Sequence, residues 1–188
     1  IVYLEALQIT GKGDYERIVR EILDYVIREM THARGGFYSA TDADSPAPSG
    51  HDEEGLFFTW TPEEIRKVLG PGDVSILVEK FYGVTARGNF EGRSILHVRE
   101  PLDVIARALD MKLHNAVRHF HESKRKLYTH RLTREPPILD DKILTSWNGL
   151  MVSAFAKAAF VLGEPRYEKA AMDAAGFLMA ELWDGKAL

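Results

Sequence analysis

A mostly α-helical fold of repeated αα-hairpins, with one short β-hairpin excursion near residues 35–60, is what this 188-residue sequence predicts. Three observations carry that prediction. The sequence matches itself at a long offset, its apolar residues recur at helical spacing between helix start and stop signals, and a single irregular stretch breaks the pattern.

The internal match comes first because a repeat decides architecture. Sliding the sequence by 152 positions lays Ala6 on Ala158, Gly11 on Gly163, Tyr15 on Tyr167 and Glu16 on Glu168. The apolar positions follow, with Tyr3 on Phe155, Ile22 on Ala174, Tyr25 on Phe177, Val26 on Leu178 and Met30 on Leu182. Each copy reads as a helix, a turn containing glycine, and a second helix whose early tyrosine packs back on the first. Gly11 and Gly163 stand where a helix end favours a left-handed residue.

In chain order, Ile1 to Leu7 reads as amphipathic helix without a cap, as if the sequence began inside a longer protein. Ile18, Ile22, Tyr25, Val26 and Glu29 continue at helical spacing. The irregular stretch runs from Gly35-Gly36-Phe37-Tyr38 through a polar Ser45–Glu54 tip to Gly55-Leu56-Phe57-Phe58-Thr59-Trp60. Thr61-Pro62-Glu63-Glu64 then supplies an N-cap, a first-turn proline and a glutamate three residues after the cap. That helix stops at Gly70-Pro71, and Asp73 to Tyr82 forms the next. Ser94 to Arg99 alternates and predicts a short strand. Helix is predicted again from Pro101 to Leu109, from Leu113 to about Leu127, and from Ser146 to Leu162. The final residues, Trp183 to Leu188, read as the start of a further turn.

Composition narrows the function classes. An apolar fraction of 45% with 28% charged residues is that of a globular protein. The net charge of −4 argues against a general nucleic-acid binder. No apolar run approaches the roughly 20 residues of a membrane span, so no membrane partner is expected. Cysteine is absent, which excludes disulfides, thiolate metal sites and a cysteine nucleophile. It leaves the redox compartment undetermined, and the expected localisation is cytoplasmic.

Two constellations could carry chemistry. Asp42, Asp44, Asp52, Glu53 and Glu54 place five carboxylates within 13 residues. Counted as a calcium loop from Asp42, Pro46 and Ala47 fall where a ligand and a glycine are required, so an EF-hand fails. The segment is either a solvated acidic loop or, with Tyr38, Phe58 and Trp60 beside it, a surface on which a sugar or peptide could stack. The second constellation is Asp140-Asp141-Lys142 followed by Trp147-Asn148. A carboxylate pair is what glycosyl chemistry uses, one protonating the leaving oxygen and the other attacking or activating water. The competing reading is helix-start chemistry, with Thr145 or Ser146 as cap. Neighbouring Asp140 and Asp141 would point apart, so at most one reacts. The histidines at 114, 119, 121 and 130 lack zinc spacing. Lys124-Arg125-Lys126 is a basic run of the kind usual on a solvated helix face. Arg131 and Arg134 stand out because they lead into Pro137 and the aspartate pair.

Three long motifs carry a resemblance: GGFYSATDADS from Gly35, EGLFFTWTPEEI from Glu54, and RLTREPPILDDKILTSWNGL from Arg131. They resemble the thioredoxin-domain-containing family of YyaL-like and spermatogenesis-associated protein 20-like proteins, in the same order and over nearly the whole chain. Members of that family are several times longer, with a thioredoxin-like domain followed by an (α/α)6 toroid similar to six-hairpin glycosidases and sugar 2-epimerases. The resemblance implies that residues 1–188 are a single partial toroid domain from which the thioredoxin-like domain is absent. A full toroid of six hairpins needs about 300 residues or more. It also implies that the three motifs face the toroid cavity.

The expected site then has Asp42, Asp44, Glu54, Asp140 and Asp141 as candidate catalytic carboxylates. Trp60, Trp147, Tyr38 and Phe58 would stack on a sugar ring, with Lys142 and Asn148 orienting hydroxyls. No metal or cofactor is expected. The expected function is carbohydrate chemistry, with hydrolysis favoured over epimerisation because the motifs lack histidine. The alternative is a non-catalytic scaffold that binds a ligand or protein beside the thioredoxin-like domain. Incomplete helical layers also predict self-association through exposed helix faces.

Overall fold

The computed structural model describes residues 1–48 and 50–186; Ser49 in the acidic excursion and the last two residues of the expected terminal turn lie outside the described residues. Its elements are α1 (Val2–Thr10), α2 (Gly13–Glu29), β1 (Ala40–Thr41), β2 (Asp44–Pro46), β3 (Asp52–Glu54), α3 (Pro62–Leu69), α4 (Asp73–Tyr82), α5 (Leu102–Ala108), α6 (Leu113–Arg131), β4 (Leu139–Asp140), α7 (Thr145–Leu162) and α8 (Pro165–Glu181). The chain divides into two compact units, Ile1–Thr41 with Leu139–Leu188, and Asp42–Ile138.

The first unit holds both copies of the internal match, and they adopt the same local structure. α1 and α7 each end on a glycine with φ of 65°, Gly11 and Gly163. Each glycine N–H reaches back to a carbonyl of the last turn, Leu7 and Ala159. The matched tyrosines pack as their spacing predicts: Tyr15 lies 6.1 Å from Tyr3, and Tyr167 lies 5.9 Å from Phe155. Leu4, Val19, Leu23, Phe37, Phe155 and Tyr167 form the core, and Phe37 stacks on Phe155 at 5.1 Å. Small residues Ala158, Ala171 and Ala174 complete it and let α7 and α8 approach closely.

Tyr167 is fully buried, and its hydroxyl donates to Asp24 Oδ1 at 2.9 Å. Burial and the Asp24 carboxylate together push the phenol up to about 12. A group whose folded pKa is raised favours the fold while protonated. Its contribution is complete below the ordinary value of about 10 and is lost as pH rises through about 12. Stability should therefore fall by about 1 kcal/mol per pH unit across that window. Tyr167→Phe should flatten this part of the curve, as urea titrations between pH 9 and 12 would reveal.

Gly35-Gly36 is required by close packing within this unit. Gly35 has φ of +113°, and a Cβ there would sit 2.5 Å from the Asp173 carbonyl oxygen. A Cβ on Gly36 would meet the Phe177 ring at 2.8 Å and Ile143 at 2.9 Å. Gly35→Ala combines backbone strain with a clash against backbone and should cost about 3 kcal/mol, measured as a drop in the urea midpoint.

The second unit is built from α3 to α6 around Trp60, Ile65, Leu77, Val78, Ile105 and Phe120. α3 begins with the expected capping box: Thr61 Oγ1 accepts from the Glu64 N–H and the Glu64 carboxylate accepts from the Thr61 N–H. α6 runs one turn further than its spacing predicts, to Arg131.

Three expectations need correction. The short β-hairpin expected near residues 35–60 is present, but the aromatic flanks of the excursion do not pair with each other. The hairpin is its acidic tip, β2 against β3, with Asp44 opposite Glu54, Ser45 opposite Glu53 and Pro46 opposite Asp52. The first flank instead pairs β1 with β4, Ala40 opposite Asp140 and Thr41 opposite Leu139. Second, Ser94–Arg99 is not a strand beyond a single bridge from Ser94 to Trp60. The N–H groups of His97 and Arg99 donate to Tyr82 and Phe81, so the segment satisfies the carbonyl end of α4 and joins no sheet. Third, neither Thr145 nor Ser146 caps α7, whose N-cap residue is Leu144 with no side-chain hydrogen bond.

Candidate functional site

The nominated residues divide between the units. Tyr38, Asp140, Asp141, Lys142, Trp147 and Asn148 lie on the first; Asp42, Asp44, Glu54, Phe58 and Trp60 lie on the second.

On the first unit the short β1–β4 pair and the start of α7 position the DDK–WN motif. Asn148, one turn into α7, is 1% exposed. Its Oδ1 accepts from the Phe37 N–H at 2.7 Å, while Nδ2 donates to the Phe37 carbonyl at 2.9 Å and to the Leu144 carbonyl at 3.1 Å. This is a two-way clamp on the backbone of the GGFY loop. The amide expected to orient a sugar hydroxyl is occupied by the fold. Ser39 strengthens the same junction, its hydroxyl donating to the Lys142 carbonyl at 2.7 Å. Tyr38 is half-buried, with its ring edge-on to His32 at 5.8 Å.

Asp140 turns back on its own loop: Oδ1 accepts from the Lys142 N–H at 3.3 Å and Oδ2 lies 3.1 Å from Lys142 Nζ. In an exposed setting such a pair adds little stability. Asp141 is exposed and forms no hydrogen bond or ion pair among the described residues. Trp147 is 54% exposed. Asp141, Lys142 and Trp147 are thus the members of the motif that reach solvent.

On the second unit the hairpin gathers three nominated acids. Asp42 Oδ1 accepts from the Asp44 N–H at 3.1 Å, and Asp44 faces Glu54 across the ladder. All three are exposed. Like charges directly opposite destabilise a ladder, so solvent must screen this pair. Ser45 anchors the hairpin from its buried side by accepting from the Phe57 N–H at 3.2 Å.

Trp60 corrects a second expectation. It is 2% exposed, with the Arg134 guanidinium 4.2 Å from its ring centroid, so no face is available to stack on a sugar. Phe58, at 36% exposed, stands edge-on to Phe57 and carries the Arg131 guanidinium 5.4 Å from its ring.

Behind Trp60 lies a network that sequence patterning does not reveal. Arg134 Nη1 lies within hydrogen-bond reach of the carbonyls of Leu56, Phe57 and Thr59, at 3.0, 2.9 and 2.7 Å. Arg93 donates to Thr59 Oγ1 at 2.8 Å and to Glu64 Oε2 at 2.6 Å, while Arg134 Nη2 lies 3.4 Å from the same oxygen. Burial alone would raise the Glu64 carboxyl. Hydrogen bonds from Arg93 and the Thr61 amide, with the charges of Arg134 and Arg93, outweigh it and hold the group below its ordinary value. Burial and the neighbouring guanidiniums of Arg93 and Arg131 lower Arg134, against the pull of Glu64. A cavity of about 400 Å³ lies beside this network, between Pro46, Ala47, Leu56 and Phe57. The spacing assigns Glu64 to the capping box alone. The only trace of Arg134 is its place just before Pro137.

The comparisons agree with the motif resemblance. The chain is 35% identical to human spermatogenesis-associated protein 20 over 203 aligned positions, covering 98% of the chain and 26% of that protein. The rat protein of the same name is 34% identical over the same span, and an uncharacterised Caenorhabditis elegans protein is 31% identical over 180 positions. These matches support the spermatogenesis-associated protein 20 family, and the chain spans about a quarter of the length of these curated relatives. No protein-family model matches the chain. Among the described residues no helix is long and apolar enough to cross a membrane.

Proposed function

We propose that this chain is a non-catalytic, ligand-presenting helical part of a longer protein, and that its contact surface is the exposed start of α7. The observation that carries the reading is the use of Asn148. The most polar buried group of the DDK–WN motif is wholly engaged in holding the Phe37 backbone, and Asp140 is turned onto Lys142. What the motif offers outward is an indole with a carboxylate and an ammonium close by in sequence: Trp147, Asp141 and Lys142. That set can stack on a pyranose ring and orient its hydroxyls, so a sugar-like small molecule is the proposed ligand.

Catalytic carbohydrate chemistry is the second reading, favoured by one observation. The Asp141 carboxylate has no partner among the described residues and is available as acid or base. This reading needs a second, opposing carboxylate and the cavity of an (α/α)6 toroid around the pair.

One experiment separates the two. The chain is titrated with a panel of monosaccharides while tryptophan emission is followed, and is incubated with the corresponding aryl glycosides. A saturable change that vanishes in Trp147→Phe, without aryl release, is the expected result. Aryl release lost in Asp140→Asn or Asp141→Asn would establish the hydrolase instead.

Self-association belongs to the same proposal. Val2, Ile9 and Phe160 are each more than three-quarters exposed on helices α1 and α7, and copies of the chain would cover such faces. Sedimentation equilibrium should show a concentration-dependent mass; a monomer throughout would remove this part of the reading.

A further inference from the structure

A second surface, on the other unit, has the chemistry of an anion site. An open cleft of about 710 Å³ runs between α6 and the end of α3, where Val68 forms part of its wall. α6 contributes Arg125, Lys126, Thr129, His130 and Thr133 follows at its end, with Glu122 the single acid of the lining. That acid is already engaged, by Arg118 at 3.3 Å and by the His119 ring at 3.9 Å.

Arg125 and Lys126 differ from the arginines that hold this unit together. Arg66, Arg93, Arg107 and Arg134 each reach a carboxylate within 3.4 Å. Arg125 and Lys126 are exposed and form no hydrogen bond or ion pair among the described residues. Complementing the helix dipole does not account for them either. That effect is confined to the last turn, which in α6 already carries His130 and Arg131. The positive charge of the cleft is therefore surplus to the fold.

We propose that this cleft binds a phosphoryl group on a small molecule. A guanidinium supplies a two-pronged donor and an ammonium a point charge, the pair that suits a tetrahedral oxyanion. Thr129, one turn from Arg125, adds a hydroxyl from the same helix face. The site is independent of the α7 surface and of any carbohydrate reading.

The test uses inorganic phosphate, followed by amide chemical shifts of the whole chain in ¹H–¹⁵N spectra. A dissociation constant of roughly 1 mM is within reach of a ligand as small as phosphate. The expected result is a saturable shift confined to residues 122–133. It should weaken by at least about tenfold in Arg125→Ala/Lys126→Ala, whose other resonances stay in place because neither side chain supports the fold. Sodium chloride at matched ionic strength should not reproduce it. The proposal is overturned by the absence of saturation, by an equal response to chloride, or by an unchanged response in the double variant. It is also overturned if a single-stranded oligonucleotide binds here while phosphate itself is silent.

Discussion

Asn148→Ala should lower the unfolding free energy by about 3 kcal/mol. The substitution leaves the buried Phe37 N–H without its acceptor, removes donors from the Phe37 and Leu144 carbonyls, and opens a small void in the core of the first unit. Losing one partner of a buried hydrogen bond costs the desolvation of the group left behind, about 1–3 kcal/mol each. Asn148→Asp should do no better. It keeps the acceptor for Phe37 but sets a carboxylate oxygen against two carbonyls. Urea unfolding of both variants, followed by far-ultraviolet circular dichroism, gives the numbers. A change below about 0.5 kcal/mol for alanine, typical of an unremarkable surface site, would contradict the clamp.

Arg134→Met should cost about 2–3 kcal/mol, through the second unit. The guanidinium ties three carbonyls of the Leu56–Thr59 turn and covers the Trp60 ring, while Glu64 would keep only Arg93 and the Thr61 amide. Glu64 is about a third exposed, so solvent softens its share, and the carbonyl clamp supplies most of the loss. Arg134→Lys should recover less than half. It restores the charge but not the planar fork that reaches several oxygens at once. The readouts are the urea midpoint and a red shift of Trp60 emission as the turn loosens. Equal stability of the lysine and wild-type proteins would mean that charge alone matters there.

Much of the helical part was legible in the sequence, and for local reasons. Caps, glycine stops and apolar spacing are near-neighbour signals, so Thr61-Pro62, Gly11, Gly163 and the run from Asp73 to Tyr82 could be placed from residues close to them. The 152-residue offset worked because each copy closes on itself through its own tyrosine contact. Two of the failures share one cause, a partner distant in sequence. Alternation in Ser94–Arg99 describes extended chain but cannot tell a sheet from the carbonyl end of α4. The flanks of the excursion look alike in composition, yet one pairs with residues 139–140 and the other turns at Gly55.

The candidate site divides on the same line. The motifs contain residues that hydrogen-bond one another, Asn148 with Phe37 and Arg134 with carbonyls of the EGLFFTW segment. Residue type alone could not say whether an asparagine or a tryptophan points toward a ligand or into the fold. Trp60 and Trp147 lie in motifs of equal apparent weight, and only burial distinguishes them.

The central claim is that Asn148 of the DDK–WN motif is built inward, as a clamp on the GGFY loop. Hydrogen exchange at two sites measures it most directly: the Phe37 backbone amide and the Asn148 side-chain amide. If the clamp holds, both should be protected and exchange only when the first unit opens, at a rate set by its unfolding equilibrium. Exchange of both at the rate of a solvated loop, with the core of α7 still protected, would contradict the account and leave Asn148 free as a ligand donor.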